Sequence, residues 1–323
     1  MKTNRFLSAL LVLSMLFTLA TGLAETEAGP VARVAALKGP TAMGMVELMD
    51  SQAERYAFTI AAAVDEITPK LVKGEIDIAA VPANLASVLY NNTQGKVKVL
   101  AVHTLGVLYI VENGDSVHSI ADLKGKTIYS SGKGATPEYA LNYILSGNGI
   151  DPARDVTIEY KAEHTECLSA LLSKEGAVAM LPQPFVTTAQ MKVENVRVAL
   201  DMNEEWARLQ EGKEEQSALI TGVLVARSEF IEQNPQVVSE FLDAYALSVQ
   251  YVNEHIPEAA KLIDAFGIVP EAVAAKAIPY CQIVYIDGEE MTQRLSGYLK
   301  VLYAQNPKAV GGALPDEAFY YQR

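Results

Sequence analysis

Residues 73–82 read KGEIDIAAVP, and residues 174–182 read KEGAVAMLP. Each stretch places a glycine after a helical pattern, then a short apolar run of strand-forming residues, then a proline that opens a loop. Any two strand-and-helix units can share this pattern, so the pair alone leaves open whether the chain contains a repeat. The elements on either side of the two stretches favour the repeat.

Apolar strand-forming runs alternate with helical patterns around both stretches, as is typical of α/β units with mostly parallel sheets. Around the first stretch we predict strands at 31–37, 56–61, 76–81 and 97–102, with helices at 42–49, 65–73 and 84–90. Around the second we predict strands at 126–129, 156–160, 177–181 and 196–200, with helices at 137–145, 163–173 and 185–191. Because four strands recur in matching order, the chain is predicted to form two similar lobes.

The pattern changes after residue 200. The strands of the second lobe cannot accommodate all of the elements that follow, so we expect the chain to cross back and cover the first lobe with helices. These elements are an acidic helical segment at 203–215, a strand run at 218–226, and amphipathic helices at 235–254, 257–266 and 289–304.

The two crossings between the lobes are predicted at residues 104–106 and 219–222, where they would form a two-strand hinge. Gly106 and Gly222 would supply backbone freedom at these crossings. The first lobe is therefore predicted to be discontinuous, with residues 30–105 and 223–323, and the second lobe to contain residues 106–222.

The first 24 residues have the layout of a secretory signal peptide. Lys2 and Arg5 give a positive start, residues 6–19 are uncharged and apolar, and residues 22–24 are GLA, which suits cleavage. The apolar run spans only about 21 Å as a helix, which is too short for a membrane anchor. We expect export across the cytoplasmic membrane to the periplasm or the cell surface. No cysteine lies near the cleavage site, so tethering through a lipid stays open.

The composition excludes several classes of function. Half of the 323 residues are apolar and 20% are charged, which argues against a disordered chain. The net charge is −13, or −15 without the leader, which argues against nucleic acid or an anionic membrane surface as a partner. Cys167 and Cys281 cannot build a disulfide scaffold or a four-thiolate zinc site. Their predicted positions in different lobes argue against a bond between them.

No segment of the sequence assembles a nucleophile, a base and an orienting group. Residues 131–134, SGKG, lack the spacing of a phosphate-binding loop. His164 and Cys167 have the spacing of metal ligands on a helix, but no second pair lies nearby, and a helix-start histidine with a buried cysteine is the simpler interpretation. We therefore predict no catalytic residue, no metal and no cofactor.

Ligands of open α/β sheets bind beyond the carboxyl ends of the strands, where helix N-termini present unpaired N–H groups. Each predicted lobe supplies two such loops, 38–44 and 82–84 in the first, 130–136 and 182–185 in the second. Their hydroxyl and amide side chains suit a small polar or anionic group, although each hydroxyl alone could simply cap a helix. The predicted ligand-binding residues are Gly39, Thr41, Ala42, Met43, Asn84, Ser130, Ser131, Thr136, Gln183 and Phe185.

Four segments resemble the extracytoplasmic solute-binding proteins of ABC importers, in the group that binds sulfonates, taurine and thiamine precursors. The resemblance runs from about residue 31 to residue 321 and rests on residues 73–82, 120–128, 149–152 and 181–185. It implies an α/β fold of the type II periplasmic-binding-protein kind, in which each lobe is a mostly parallel sheet flanked by helices and a two-strand hinge joins the lobes. Among the site residues the resemblance points first to Thr41, Asn84, Ser130, Ser131 and Gln183.

The resemblance implies a monomer that captures a small organic molecule, such as a sulfonate-like or a pyrimidine- or thiamine-precursor-like compound, and delivers it to a membrane permease without breaking a bond. Two alternatives stay open. One is an enzyme such as a pyrimidine-precursor synthase, which would need clustered His and Cys residues in the cleft. The other is a ligand receptor for a sensor kinase. The sequence does not identify the ligand or its charge.

Overall fold

The computed structural model describes residues 31–213 and 217–323, so the predicted signal peptide at residues 1–24 lies outside the described residues. All nine predicted strands are present, whereas β5 and β11 have no counterpart among the predictions. The strands of the described ranges are β1 (Ala32–Leu37), β2 (Tyr56–Ala61), β3 (Ile78–Pro82), β4 (Val97–Leu105), β5 (Leu108–Asn113), β6 (Thr127–Ser130), β7 (Thr157–Tyr160), β8 (Val178–Pro182), β9 (Val196–Asp201), β10 (Ile220–Arg227) and β11 (Ile283–Ile286).

Helices follow most of the strands. The predicted helix at 42–49 is split at Gly44 into two short helices, and two further helices, α9 and α12, have no counterpart among the predictions. The helices of the described ranges are α1 (Pro40–Met43), α2 (Val46–Ser51), α3 (Thr68–Val72), α4 (Ala83–Asn92), α5 (Thr136–Gly147), α6 (His164–Ser173), α7 (Phe185–Lys192), α8 (Met202–Arg208), α9 (Ser228–Gln233), α10 (Pro235–Glu254), α11 (Ile256–Ala265), α12 (Glu271–Ala277) and α13 (Gly288–Gln305).

The strands form two sheets that share one order. The six-stranded sheet runs β11-β4-β10-β3-β1-β2, and the five-stranded sheet runs β7-β6-β8-β5-β9. The order β2-β1-β3-β10-β4 therefore corresponds to β7-β6-β8-β5-β9. In each sheet one strand lies antiparallel between its neighbours, β10 between β3 and β4, and β5 between β8 and β9. The sheets are thus mixed, and the repeat predicted from the sequence extends to the strand order.

The two glycines of the repeated stretches are in the left-handed region, with φ of +78° at Gly74 and +76° at Gly176. Residues with a Cβ rarely adopt this conformation. Each glycine turns the chain from a helix, α3 or α6, into the next strand, β3 or β8. Each of the two turns therefore requires glycine, which explains why glycine recurs at the same point of both repeated stretches.

The chain passes between the sheets twice in the described ranges. β4 belongs to the six-stranded sheet and β5 to the five-stranded sheet, and only residues 106–107 separate them. The return runs from β9 through α8 to β10. We propose that the lobes divide near these crossings, as predicted, and the membership of the strands in the two sheets supports this division.

Gly106 and Gly222, predicted to give the crossings backbone freedom, have a different reason to be glycine. Neither has a positive φ. A Cβ at Gly106 would lie 2.7 Å from Asn203 Oδ1, and a Cβ at Gly222 would lie 2.3 Å from His103 Cε1. Close approach of neighbouring side chains, rather than an unusual backbone conformation, therefore favours glycine at both positions.

One hydrophobic cluster is continuous across both sheets. It includes Val102 of β4, Ile128 of β6, Trp206 of α8 and Tyr298 of α13, all of them buried. Two further clusters each lie on one sheet only, and they contain the free thiols Cys281 and Cys167 respectively. No helix of the described ranges is both long and apolar enough to cross a membrane.

A buried ion network lies at the edge of the six-stranded sheet opposite the carboxyl ends of β1 and β3. Asp77 precedes β3, and its side chain is only 5% exposed. Its carboxylate accepts hydrogen bonds from Arg33 of β1 at 2.7 and 2.8 Å and from Arg227 of β10 at 2.8 Å. These contacts connect three strands that are distant in the sequence.

Candidate ligand-binding site

Each of the four predicted loops joins the carboxyl end of a parallel strand to the start of a helix. The connections are β1 to α1, β3 to α4, β6 to α5 and β8 to α7. None of these four helices has a side-chain cap at its N-cap residue. The first N–H groups of such helices carry the positive end of the helix dipole.

The loop before α1 begins at Gly39, whose φ of +123° requires glycine. The N–H groups of Ala42 and Met43 both donate to the Gly39 carbonyl at 3.0 Å. The side chains of Ala42 and Met43 are fully buried in the cluster of the six-stranded sheet. Among the predicted residues of this loop, only Thr41 therefore presents a partly accessible polar side chain.

Asn84 and Thr136 lie at the starts of α4 and α5, and the fold brings them together. The Thr136 hydroxyl donates to Asn84 Oδ1 at 3.4 Å, and Asn84 Nδ2 donates to the Ala309 carbonyl at 3.2 Å. Both side chains are buried. Because α4 follows a strand of one sheet and α5 a strand of the other, the carboxyl edges of the two sheets meet at this contact.

Ser130 is the last residue of β6, and Ser131, which follows it, contacts a histidine absent from the predicted site. Ser131 Oγ lies 2.6 Å from His164 Nδ1, and Ser130 Oγ donates to the Ser131 carbonyl at 3.3 Å. His164 is the first residue of α6, the position that Thr136 has in α5. This shared position, at the start of a helix that follows a strand, is the sequence signal from which His164 could have been predicted as a site residue.

Aromatic side chains and one unpaired hydroxyl surround this group. The rings of His164 and Phe185 are 5.2 Å apart. The Tyr160 hydroxyl at the end of β7 is buried and has no hydrogen-bond partner among the described residues. Lys133 lies over the Tyr160 ring with its Nζ 5.8 Å from the ring centre. The second-lobe part of the site therefore combines neutral hydroxyl and imidazole groups with a positive charge near its rim.

Gln183 lies near the crossing between the sheets. Its N–H donates to the Val107 carbonyl at 3.1 Å, and its Oε1 accepts from the Thr187 hydroxyl at 2.8 Å and the Thr187 N–H at 3.2 Å. Its amide oxygen therefore stabilises the first turn of α7.

Nearby, the segment 280–282 lies beside the crossing, because the Tyr109 hydroxyl donates to the Tyr280 carbonyl at 3.0 Å.

A second histidine, His103, lies two residues before the end of β4 and is fully buried. Its Nδ1 lies 2.6 Å from the Thr104 hydroxyl, and its Nε2 has no hydrogen-bond partner among the described residues. Its ring packs against the Gly222 backbone. The sequence presents His103 as an isolated residue, because the partner that shapes its surroundings lies on a distant strand.

His103 and His164 should both remain uncharged at neutral pH. Burial lowers the pKa of His103 to about 3 and that of His164 to about 4, although Glu163 opposes the shift at His164. An unfolded chain binds these protons at a pKa of about 6.5, so the free energy of unfolding should decrease as the pH falls from about 6.5 towards about 4. Ring-nitrogen NMR at about pH 5 should show neutral imidazoles at both positions, and protonated rings there would contradict the prediction.

In the described ranges, no three His, Cys, Asp or Glu side chains cluster as the ligands of a metal would. The groups that the loops bring together are hydroxyls, amides, imidazoles and backbone N–H groups. Such groups can bind and orient a small anion through hydrogen bonds.

A family model described as "ABC transporter, phosphonate, periplasmic substrate-binding protein" matches residues 48–274, which is more than half of the chain. No curated protein sequence matches the chain.

Solved structures of similar fold cover nearly the whole chain. An ABC transporter protein from Parabacteroides distasonis is 24% identical, with a TM-score of 0.76 over 90% of this chain and 99% of that one. The periplasmic aliphatic sulphonate binding protein SsuA from Escherichia coli is 16% identical, with a TM-score of 0.72 over 90% and 92%. The alkanesulfonate-binding protein SsuA from Xanthomonas axonopodis pv. citri, bound to MOPS, is 15% identical, with a TM-score of 0.66 over 90% and 96%. These likenesses confirm the predicted type II periplasmic-binding-protein fold.

Proposed function

This chain belongs to the phosphonate family of periplasmic substrate-binding proteins of ABC transporters, and from that membership we propose that it captures a small organic anion with a phosphonate or sulfonate head group. It is the substrate-binding component of an ABC importer. Its family consists of transport components rather than enzymes, so the synthase alternative is wrong.

The contact between Asn84 and Thr136 carries this proposal. The two residues start helices that follow strands of different sheets, and their side chains are 3.4 Å apart. The N-termini of α4 and α5 therefore face one region from two sides. Two opposed helix N-termini favour an anion there by their N–H groups and by their dipoles.

The chemistry of the neighbouring side chains supports a tetrahedral oxyanion. Its three equivalent oxygens accept several hydrogen bonds at once, and Ser130, Ser131 and Asn84 can donate them. Charge-assisted bonds of this kind are stronger than bonds between neutral groups. The rings of Tyr160 and Phe185 could contact the organic part of the ligand. Two proteins of similar fold are an aliphatic sulphonate binding protein and an alkanesulfonate-binding protein bound to MOPS, which supports the same class here.

Capture would proceed by closure of the two predicted lobes about their crossings. A ligand that contacts both sheet edges stabilises the closed form over the open one by its differential contacts. We propose that the protein acts as a monomer exported by residues 1–24, and that it delivers its ligand to a membrane permease.

A ligand panel tests the function. We expect methylphosphonate or ethanesulfonate to raise the melting temperature of the mature chain, because a ligand that binds only the folded state adds about 2.7 kcal/mol at a hundredfold excess over its Kd. Differential scanning fluorimetry followed by calorimetry measures the effect. Sodium chloride at matched ionic strength is the control, since a general salt effect raises stability equally with either salt.

Two outcomes would overturn the proposal. One is a melting temperature that no phosphonate or sulfonate raises above the chloride control. The other is stabilisation by uncharged pyrimidines alone, which would favour the pyrimidine-like ligands that the sequence left open.

A further inference from the structure

We propose that Tyr298 is a positioning residue for the binding site, because its hydroxyl orients Thr136 and, through Thr136, Asn84 before any ligand arrives. This inference rests on the proposed function only in naming Asn84 as a ligand contact. Tyr298 lies in the middle of α13, about 160 residues from Thr136 along the chain. No feature of the sequence connects the two residues.

The hydrogen bonds form a chain with a single direction. The Tyr298 hydroxyl donates to Thr136 Oγ1 at 2.9 Å, and Thr136 donates its own hydrogen to Asn84 Oδ1 at 3.4 Å. Asn84 Nδ2 then donates to the Ala309 carbonyl at 3.2 Å. The Thr136 hydroxyl has a single hydrogen. Because its oxygen accepts the hydrogen bond from Tyr298, its own hydrogen points away from Tyr298 and is donated to Asn84. The chain thereby fixes which way the Asn84 amide points.

Because these side chains are buried, loss of any of these hydrogen bonds would be costly. Tyr298 is fully buried, Thr136 is 3% exposed and Asn84 is 4% exposed. Water cannot replace a lost hydrogen bond at such positions, so an unpaired hydroxyl there would rotate towards another acceptor. A primary amide has two donor hydrogens, and Ala309 takes one of those on Asn84. The second hydrogen is then held at a defined place for a ligand oxygen.

The same helix holds the two sheets together around this chain. The Tyr298 ring lies 5.6 Å from the ring of Trp206, which belongs to α8 beside the five-stranded sheet. α13 itself packs on β4 and α4 of the six-stranded sheet side. Beyond α13, Asn306 is hydrogen-bonded to Tyr139 of α5. Tyr298 therefore lies at a contact between elements of the two sheets.

Three substitutions in the mature chain test the inference. Tyr298→Phe removes the donor and keeps the ring, Thr136→Val removes the intermediate hydroxyl, and Thr136→Ser keeps that hydroxyl as the conservative rescue. Tyr245→Phe is the matched control, because the Tyr245 hydroxyl is equally buried but has no hydrogen-bond partner among the described residues. Tyr245→Phe therefore reports the effect of losing a buried hydroxyl alone.

The first readout needs no ligand. We expect amide hydrogen exchange at the starts of α4 and α5 to accelerate by about five- to tenfold in Tyr298→Phe and Thr136→Val, as loss of one net hydrogen bond implies. Thr136→Ser and Tyr245→Phe should exchange as the wild type does. The wavelength of fluorescence emission from Trp206, the single tryptophan, should shift only in Tyr298→Phe and Thr136→Val. Exchange at α4 that is unchanged in Tyr298→Phe would overturn the inference.

The second readout uses methylphosphonate as the probe. Its Kd should rise about five- to tenfold in Tyr298→Phe and stay within about twofold of the wild type in Thr136→Ser and Tyr245→Phe. An equal loss of affinity in Tyr245→Phe would overturn the positioning role. If the wild type binds neither methylphosphonate nor ethanesulfonate, the proposed function fails, and the exchange result decides the role of Tyr298 separately.

Discussion

Replacing Asp77 by alanine should lower the free energy of unfolding by about 3 kcal/mol at neutral pH. The substitution leaves the guanidinium groups of Arg33 and Arg227 without the buried carboxylate that they share. The expected loss is at the lower end of the range for a broken buried ion pair, because the Arg33 side chain is 44% exposed and water solvates part of its charge. Urea unfolding of the two proteins measures the difference.

The effect should depend on pH. Burial alone would raise the pKa of Asp77, but hydrogen bonds from Arg33 and Arg227 outweigh it and hold the pKa below its ordinary value of 3.8. A carboxyl with a lowered pKa stabilises the fold above its unfolded pKa, and this contribution is lost as the pH falls through the folded pKa. The difference between wild type and Asp77→Ala should therefore be constant down to about pH 5 and shrink below about pH 4. A difference that grows in acid would contradict this account.

Glu229→Ala is the matched control for Asp77→Ala. The Glu229 carboxylate also accepts a hydrogen bond from Arg227, at 3.2 Å, but its side chain is 69% exposed. An exposed pair contributes about 0–1 kcal/mol, so we expect little change in the free energy of unfolding. Equal losses in the two variants would show that burial of Asp77 is not the cause.

Gly222→Ala should destabilise the protein by about 2–3 kcal/mol, although alanine fits the backbone conformation of this residue. Its Cβ would lie 2.3 Å from Cε1 and 2.7 Å from Nε2 of His103. His103 is fully buried, so its ring cannot move aside without displacing neighbouring strands. Thermal and urea unfolding measure the loss, and a variant within about 0.5 kcal/mol of the wild type would show that the ring relocates freely.

A double-mutant cycle tests the proposed cause. His103→Ala removes the ring that the new methyl group would meet, so the double variant should lose less stability than the sum of the two single variants. The coupling free energy should exceed about 1 kcal/mol. Simple additivity would indicate that Gly222 is required for another reason, such as its pairing with Pro82 and Thr104.

The strand-and-helix repeat was predictable because it rests on local patterns. Glycine after a helix, an apolar run and a following proline are all set by conformational preferences of neighbouring residues. The structure confirms the nine predicted strands and adds a shared strand order. β5 was missed although its sequence, LYIVEN, is rich in strand-forming residues. Its partners, β8 and β9, lie about 70 to 90 residues further along the chain, and no local signal connects them.

The candidate site was predictable in part for the same reason. Loops at the carboxyl ends of parallel strands meet at one edge in any such sheet, so Asn84, Ser131 and Thr136 could be named from sequence. Their partners could not. His164 beside Ser131 and Tyr298 beside Thr136 depend on how one sheet and its helices lie against the other.

The sequence by itself determined the α/β units, their repetition and the loops where a ligand would bind, because each depends on interactions between residues close in the chain. Only the tertiary structure decided what Asp77, Gly222 and Tyr298 do. Asp77 is charged and buried because two arginines from distant strands converge on it. Gly222 is glycine because a histidine ring from β4 lies on its backbone. Tyr298 orients a hydroxyl at the far side of the contact between the sheets, because packing brings its helix there.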